Sequence, residues 1–166
     1  MTVIPDDKAL KTLARRLGER LLARGWMTAT AESCTGGWIA KTLTDIAGSS
    51  AWFDRGFVTY TNEAKQDLLG VRADTLAVHG AVSEATVREM VAGALARSRA
   101  AVVVAVSGIA GPAGGSADKP VGTVWLAWGG RDGATCTERC RFDGDREAVR
   151  RQAVARAIRG LDDLLG

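Results

Sequence analysis

Thr28-Ala-Thr-Ala-Glu-Ser-Cys-Thr-Gly-Gly-Trp38 reads as a short buried strand that runs into a glycine-bearing turn and opens a helix, with Ser33 at the corner. A serine so placed projects its hydroxyl off the sheet edge, toward backbone N–H groups that lack intrahelical partners and carry the positive end of the helix dipole. Such a corner can hold a nucleophile together with the oxyanion it creates, or simply an anion.

Outward from this corner, helices and strands alternate. Leucines at 10, 13, 17 and 21 follow helical spacing across 6–24, and Gly25 supplies the stop. A helix is expected over 36–46, a second strand over 52–60, and a short helix capped near Thr61-Asn62 and ending at Gly70. Another helical turn falls at 75–78, and Ser83 caps a longer helix to about Arg99. The apolar run AVVVAVS over 101–107 has the character of a central strand buried on both faces. Two strands over 121–128 and 135–142, joined by Gly129-Gly-Arg-Asp-Gly133, form a late hairpin, and 145–165 is the terminal helix. Early alternation with a late antiparallel hairpin predicts an α/β fold: a three-layer α/β/α sandwich around a mixed, mostly parallel sheet.

Composition narrows the classes. The 166 residues are 46% hydrophobic and 25% charged, enough for one core and without a disorder signature. Neither repeats nor linkers interrupt the chain, which reads as one domain over 1–166. No apolar run approaches the roughly 18 residues of a membrane span. The N-terminus lacks the basic-then-apolar pattern of a signal peptide, so a cytoplasmic location is expected, with no membrane partner. Twenty-two Lys and Arg against 19 Asp and Glu do not imply a nucleic-acid binder. The basic excess lies late, at Arg146, Arg150, Arg151, Arg156 and Arg159, where a solvated helix face is the ordinary reading. Arg146 and Arg150, four apart, are the pair that could meet a phosphate. Three cysteines give no disulfide framework; Cys136 and Cys140 share a strand face and are expected to be buried structural thiols. One histidine, His79, leaves a metal site without obvious ligands, so no metal is expected.

Three segments follow strand ends, where ligands gather in doubly covered sheets: 33–37, 60–65 and 107–119. Serine needs a base. His79 falls in an expected turn far from Ser33 in sequence. Lys65 would sit in the first turn of its helix, where the dipole and partial desolvation both disfavour its charge. Tyr60 is near enough to relay the proton or hold the lysine; a surface lysine and a core tyrosine are the plainer alternative. Cys34 is a rival nucleophile without a histidine partner. Thr35, Gly36 and Gly37 offer backbone N–H groups, although helix-on-strand packing explains the glycines equally well. Neither the phosphate-loop nor the dinucleotide fingerprint is present. The loop holding Gly108, Gly111, Gly114 and Gly115 can still form a backbone nest for phosphate or ribose, or serve as a plain connection.

Taken together, AESCTGGWIAKTLTDIAGSSAWFDRGFVTYTNEAK (31–65), GAVSE (80–84), VSGIAGPAGGSADKPVGTVW (106–125) and FDGDREAVRRQA (142–153) resemble the CinA C-terminal domain family in its stand-alone form. That family contains nicotinamide-nucleotide amidohydrolases. The resemblance implies hydrolysis of the carboxamide of nicotinamide mononucleotide (NMN) to nicotinate mononucleotide and ammonia, in pyridine-nucleotide recycling. It implies a serine nucleophile at Ser33, a tyrosine and a lysine at Tyr60 and Lys65, no cofactor, and a homodimer. The substrate phosphate would meet the loop around Gly108, Gly111 and Gly115, or Arg146 from this or a neighbouring subunit. Some family members are known as competence- or damage-associated proteins. Two other readings therefore stand beside it: a non-catalytic nucleotide-binding module and a cysteine-dependent amidase acting through Cys34.

Overall fold

Four helices are opened by a side chain that accepts the N–H three residues on: Asp6 from Ala9 at 2.8 Å, Thr61 from Ala64 at 3.0 Å, Ser83 from Thr86 at 3.2 Å and Asp145 from Ala148 at 2.9 Å. Each satisfies an N–H that the helix itself leaves unpaired. The computed structural model describes residues 2–166. In chain order these form α1 (Asp7–Arg24), β1 (Thr28–Glu32), α2 (Trp38–Thr44), a 3₁₀ turn (Ser49–Ala51), β2 (Phe53–Val58), α3 (Asn62–Leu69), α4 (Ala73–His79) and α5 (Glu84–Ala96), then β3 (Val102–Gly108), β4 (Thr123–Gly130), β5 (Thr135–Arg141) and α6 (Arg146–Leu164). The elements match the sequence reading except that α2 starts later, at Trp38, because two left-handed glycines, Gly36 and Gly37, hold the turn open before it.

The sheet runs β2-β1-β3-β4-β5. β1 pairs parallel with β2 and β3, and β4 lies antiparallel to both β3 and β5. The result is a mixed sheet covered on both faces. Val102, Val104 and Val106 of β3 face one core with α1, α2 and α6, while Val103 and Ala105 face the other with α3, α4 and α5. Strict alternation along a fully buried strand explains the continuous valine run. Trp128 locks α6 to the sheet by donating from its indole N–H to Ala157 O at 2.9 Å.

The chain leaves β1 on the α2 side to reach β2, and leaves β2 on the other side to reach β3. Between β1 and β3 the winding therefore reverses, and it is outside the carboxyl ends of strands at such a point that open α/β sheets bind ligands. Register makes these ends level: Glu32 lies beside Val58 on one flank and Val106 on the other. Ser33, Thr59-Tyr60 and Ser107-Gly108 thus emerge at one edge.

The second helical layer depends on close approach at Gly93, where a Cβ would lie 1.9 Å from the Leu69 carbonyl oxygen. Gly93→Ala is expected to cost about 2 kcal/mol or more, seen as a lower urea midpoint. An unchanged midpoint would contradict this packing.

Candidate active site

Ser33 directly follows β1 and donates its N–H to Val106 O at 3.0 Å, which ties the corner to the central strand. The Lys65 amine lies 2.9 Å from Ser33 Oγ. Lys65 is 1% exposed whereas Tyr60 is 56% exposed. The plainer sequence alternative, a surface lysine with a core tyrosine, is therefore inverted. Lys65 points inward from α3 because Thr61 caps that helix and directs its first turn at the end of β1.

The amine also contacts Thr59 O at 2.9 Å, Tyr60 O at 3.1 Å and Thr61 O at 3.5 Å. Counting donors shows what this cradle allows. A neutral amine gives two N–H groups to Thr59 O and Tyr60 O and keeps a lone pair for the Ser33 hydroxyl; an ammonium gives its third N–H to Oγ. Ser33 Oγ also has Tyr60 O within reach, at 3.4 Å, as a second acceptor for its proton. Both protonation states are satisfied without rearrangement. Burial pushes the Lys65 amine below the ordinary lysine range, against a small opposing effect of the Cys34 thiol.

Glu32, next to Ser33, is 0% exposed. Its carboxylate accepts from Thr35 Oγ1 at 2.6 Å, Ile39 N at 2.8 Å, Ala40 N at 3.0 Å and Thr30 Oγ1 at 3.2 Å. The protein's own carboxylate thus occupies the N-terminus of α2. The corner does not offer those helix amides to an outside anion, as the sequence had suggested. Glu32 was missed because alternation marks it only as a strand residue. A carboxylate directly before the glycine turn was the available signal.

Among the turn amides, the Gly36 N–H is taken by Ser33 O at 3.0 Å. Thr35 itself is buried, with its hydroxyl on Glu32. Gly37 is the left-handed residue that opens α2.

The other expected residues divide. Arg146 donates to Tyr60 Oη at 2.9 Å and to Gly111 O at 2.8 Å, joining the 60–65 segment to the glycine loop. The three strand-end segments therefore do meet. Gly108 is a strand residue paired with Val124, and a Cβ there would meet Val124 Cγ2 at 2.6 Å, so it serves sheet packing. Gly115 backs onto Val121 and enters none of the hydrogen bonds around Ser33, Lys65 or Arg146.

Several expectations need correction. The late arginines are not merely a solvated face. Arg150 donates to Cys34 O and Thr35 O, Arg151 pairs with Asp7 and Glu147, and Arg156 pairs with Glu138 over the Trp128 ring. α6 packs against α1, α2 and the sheet, which brings these side chains inward. Cys136 is exposed on the edge strand β5, and only Cys140 is partly buried. His79 ends α4, and its carbonyl accepts from Lys119 Nζ at 2.8 Å. Cys34 is buried, and desolvation pushes its thiol up to about 12, so it carries little thiolate at neutral pH.

A serine directly after a central strand of an α/β sheet, with a buried lysine amine on its hydroxyl, marks the candidate site. The sequence matches the CinA C-terminal domain over residues 10–165, and the chain belongs to that family. The nicotinamide-nucleotide amidohydrolase PncC of Escherichia coli K12 is 60% identical over 155 residues, which is 93% of this chain and 94% of that protein. The protein of the same name from Pseudomonas putida is 57% identical over 153 residues, 92% and 94% of the two chains. The crystal structure of competence/damage inducible protein CihA from Agrobacterium tumefaciens superposes with a TM-score of 0.92 at 52% identity, covering 99% of each chain.

Two outcomes test the geometry. Glu32→Ala strands buried donors and is expected to destabilise the fold by about 3 kcal/mol in urea unfolding; a loss near zero would contradict the cap. A thiol reagent at neutral pH should modify Cys136 well before Cys34 in the native protein, read by peptide mass spectrometry, and the reverse order would contradict the burial.

Proposed function

We propose that this protein hydrolyses the carboxamide of NMN to nicotinate mononucleotide and ammonia. The observation that carries the reading is the buried Lys65 amine 2.9 Å from Ser33 Oγ, and the names of the near-full-length relatives supply the substrate.

In this mechanism neutral Lys65 takes the Ser33 proton as Oγ attacks the amide carbon. The resulting ammonium, still held by Thr59 O and Tyr60 O, returns the proton to the departing nitrogen. Ammonia leaves and Ser33 carries the acyl group. Water then gives a proton to Lys65 and attacks the ester, and Oγ leaves with that proton. Amides of the 35–37 turn stabilise the oxyanion, with Thr35 and Gly37 the better placed because Gly36 is engaged. Tyr60 contributes its carbonyl to the lysine, while its phenol orients Arg146. Arg146 and the loop at Gly111 receive the phosphate. No step calls on a cofactor.

The binding-module alternative relied on an open helix N-terminus, and Glu32 fills it. The cysteine alternative relied on a reactive Cys34, and burial silences that thiol. Homodimerisation and a role in pyridine-nucleotide recycling accompany the reading as expectations of the family, and cytoplasmic residence and a single domain as expectations of the sequence.

Incubation with NMN should release ammonia and nicotinate mononucleotide in equal amounts, and no turnover above blank would reject the reading. Ser33→Ala is expected to lower kcat on the order of a thousandfold or more, and Lys65→Met about a hundredfold to ten-thousandfold, with Cys34→Ala close to wild type. Since neutral Lys65 is the active form, kcat/KM should rise as pH rises through a pKa below the ordinary 10.5. A flat profile, or activity retained in Lys65→Met, would remove the lysine. The same shift has a stability consequence. The unfolded chain binds the Lys65 proton more tightly, so stability should increase with pH between the lowered folded value and 10.5. Lys65→Met should lack that increment.

A further inference from the structure

Arg150 lies one helical turn beyond Arg146 on α6 and reaches under the nucleophile turn. Its Nε donates to Cys34 O at 3.0 Å and its Nη2 to Thr35 O at 3.2 Å. The guanidinium also rests over the Trp38 ring, 5.4 Å from the centroid. Arg151 lies 4.9 Å from the same ring and is held by Asp7 and Glu147. Gly36 permits the approach, since a Cβ there would meet Arg150 Nη2 at 3.3 Å. Two carbonyls and an aromatic face therefore fix this cation in one place.

A trans peptide is planar, with its N–H opposite its carbonyl. Drawing Cys34 O toward Arg150 turns the Thr35 N–H to the other side of the turn. Drawing Thr35 O the same way does so for the Gly36 N–H, which Ser33 O receives. The Thr35 N–H enters none of the turn's hydrogen bonds. A cation on the carbonyl also polarises the peptide and strengthens its N–H as a donor.

We infer that Arg150 is a positioning residue that aims and polarises the Cys34–Thr35 peptide, so that the Thr35 N–H serves as an oxyanion donor for Ser33. The inference rests on Ser33 being the nucleophile and needs no particular substrate. Both guanidinium contacts go to backbone oxygen, so Arg150 acts through the turn and not on the substrate phosphate. Lysine cannot replace it, because one ammonium cannot span two carbonyls in the fork geometry of a guanidinium.

The test is the rate at which a fluorophosphonate labels Ser33, followed by intact mass. Oγ forms a bond to phosphorus, the P–F bond breaks, Lys65 takes the serine proton and fluoride departs, while the phosphoryl oxygen occupies the oxyanion position. Arg150→Met should label on the order of tenfold to a hundredfold more slowly, and Arg150→Lys should recover only part of the loss. Methylguanidinium at millimolar concentration should speed Arg150→Ala and leave wild type unchanged. In NMN turnover the loss should fall on kcat, with KM little altered. Labelling of Arg150→Met at the wild-type rate overturns the inference. So does a slowed Arg150→Ala that melts early and gains nothing from methylguanidinium. Wild type that labels but leaves NMN intact removes the substrate reading and leaves the part of Arg150 standing. Wild type that does not label removes both.

Discussion

The burial of a lysine amine against a serine hydroxyl is the constraint on which the rest of this site depends. An isolated ammonium in an apolar interior is costly, and proteins meet that cost by pairing the group or neutralising it. Among the described residues no carboxylate reaches the amine. Backbone carbonyls of residues 59–61 and Ser33 Oγ surround it instead. Such a cage tolerates both protonation states, and the loss of solvent biases the amine toward the neutral one. The contact between amine and hydroxyl thus follows from where α3 is capped and where β1 stops.

Charges of both signs build the turn. Glu32 neutralises the positive end of α2 and satisfies its first amides, and Arg150 holds the carbonyls of Cys34 and Thr35 from the far side. The turn after β1 is therefore held from two sides by buried or half-buried charges. A nucleophile in such a turn needs little reorganisation as negative charge develops, which is where electrostatic catalysis gains most. The sheet supplies the remaining geometry, because the winding reverses between β1 and β3 and their ends are level.

Much of this was legible in sequence because it is local. The caps at Thr61 and Ser83, the stops at Gly25 and Gly70, and the doubly buried valine strand follow from short-range chemistry. Ser33 and Lys65 were legible as chemical types but not as a pair, since spacing alone could not say which side of α3 faces the sheet. Glu32 carried only a positional signal, a carboxylate directly before the glycine turn, and the role of Arg150 was not legible. The role of Glu32 depends on two glycines bending α2 back over its carboxylate, and that of Arg150 on α6 packing beside α2, both tertiary facts. Cys136 was misread because period-two alternation marks a face without saying how far a helix covers it.

The central claim is that Lys65 is a lowered-pKa amine poised on Ser33. Nitrogen NMR of the protein labelled at its five lysines reads each Nζ directly as pH is varied. One resonance, absent from Lys65→Met, should titrate below the other four and move when Ser33 is replaced by alanine. Five resonances titrating together in the ordinary lysine range would contradict the account.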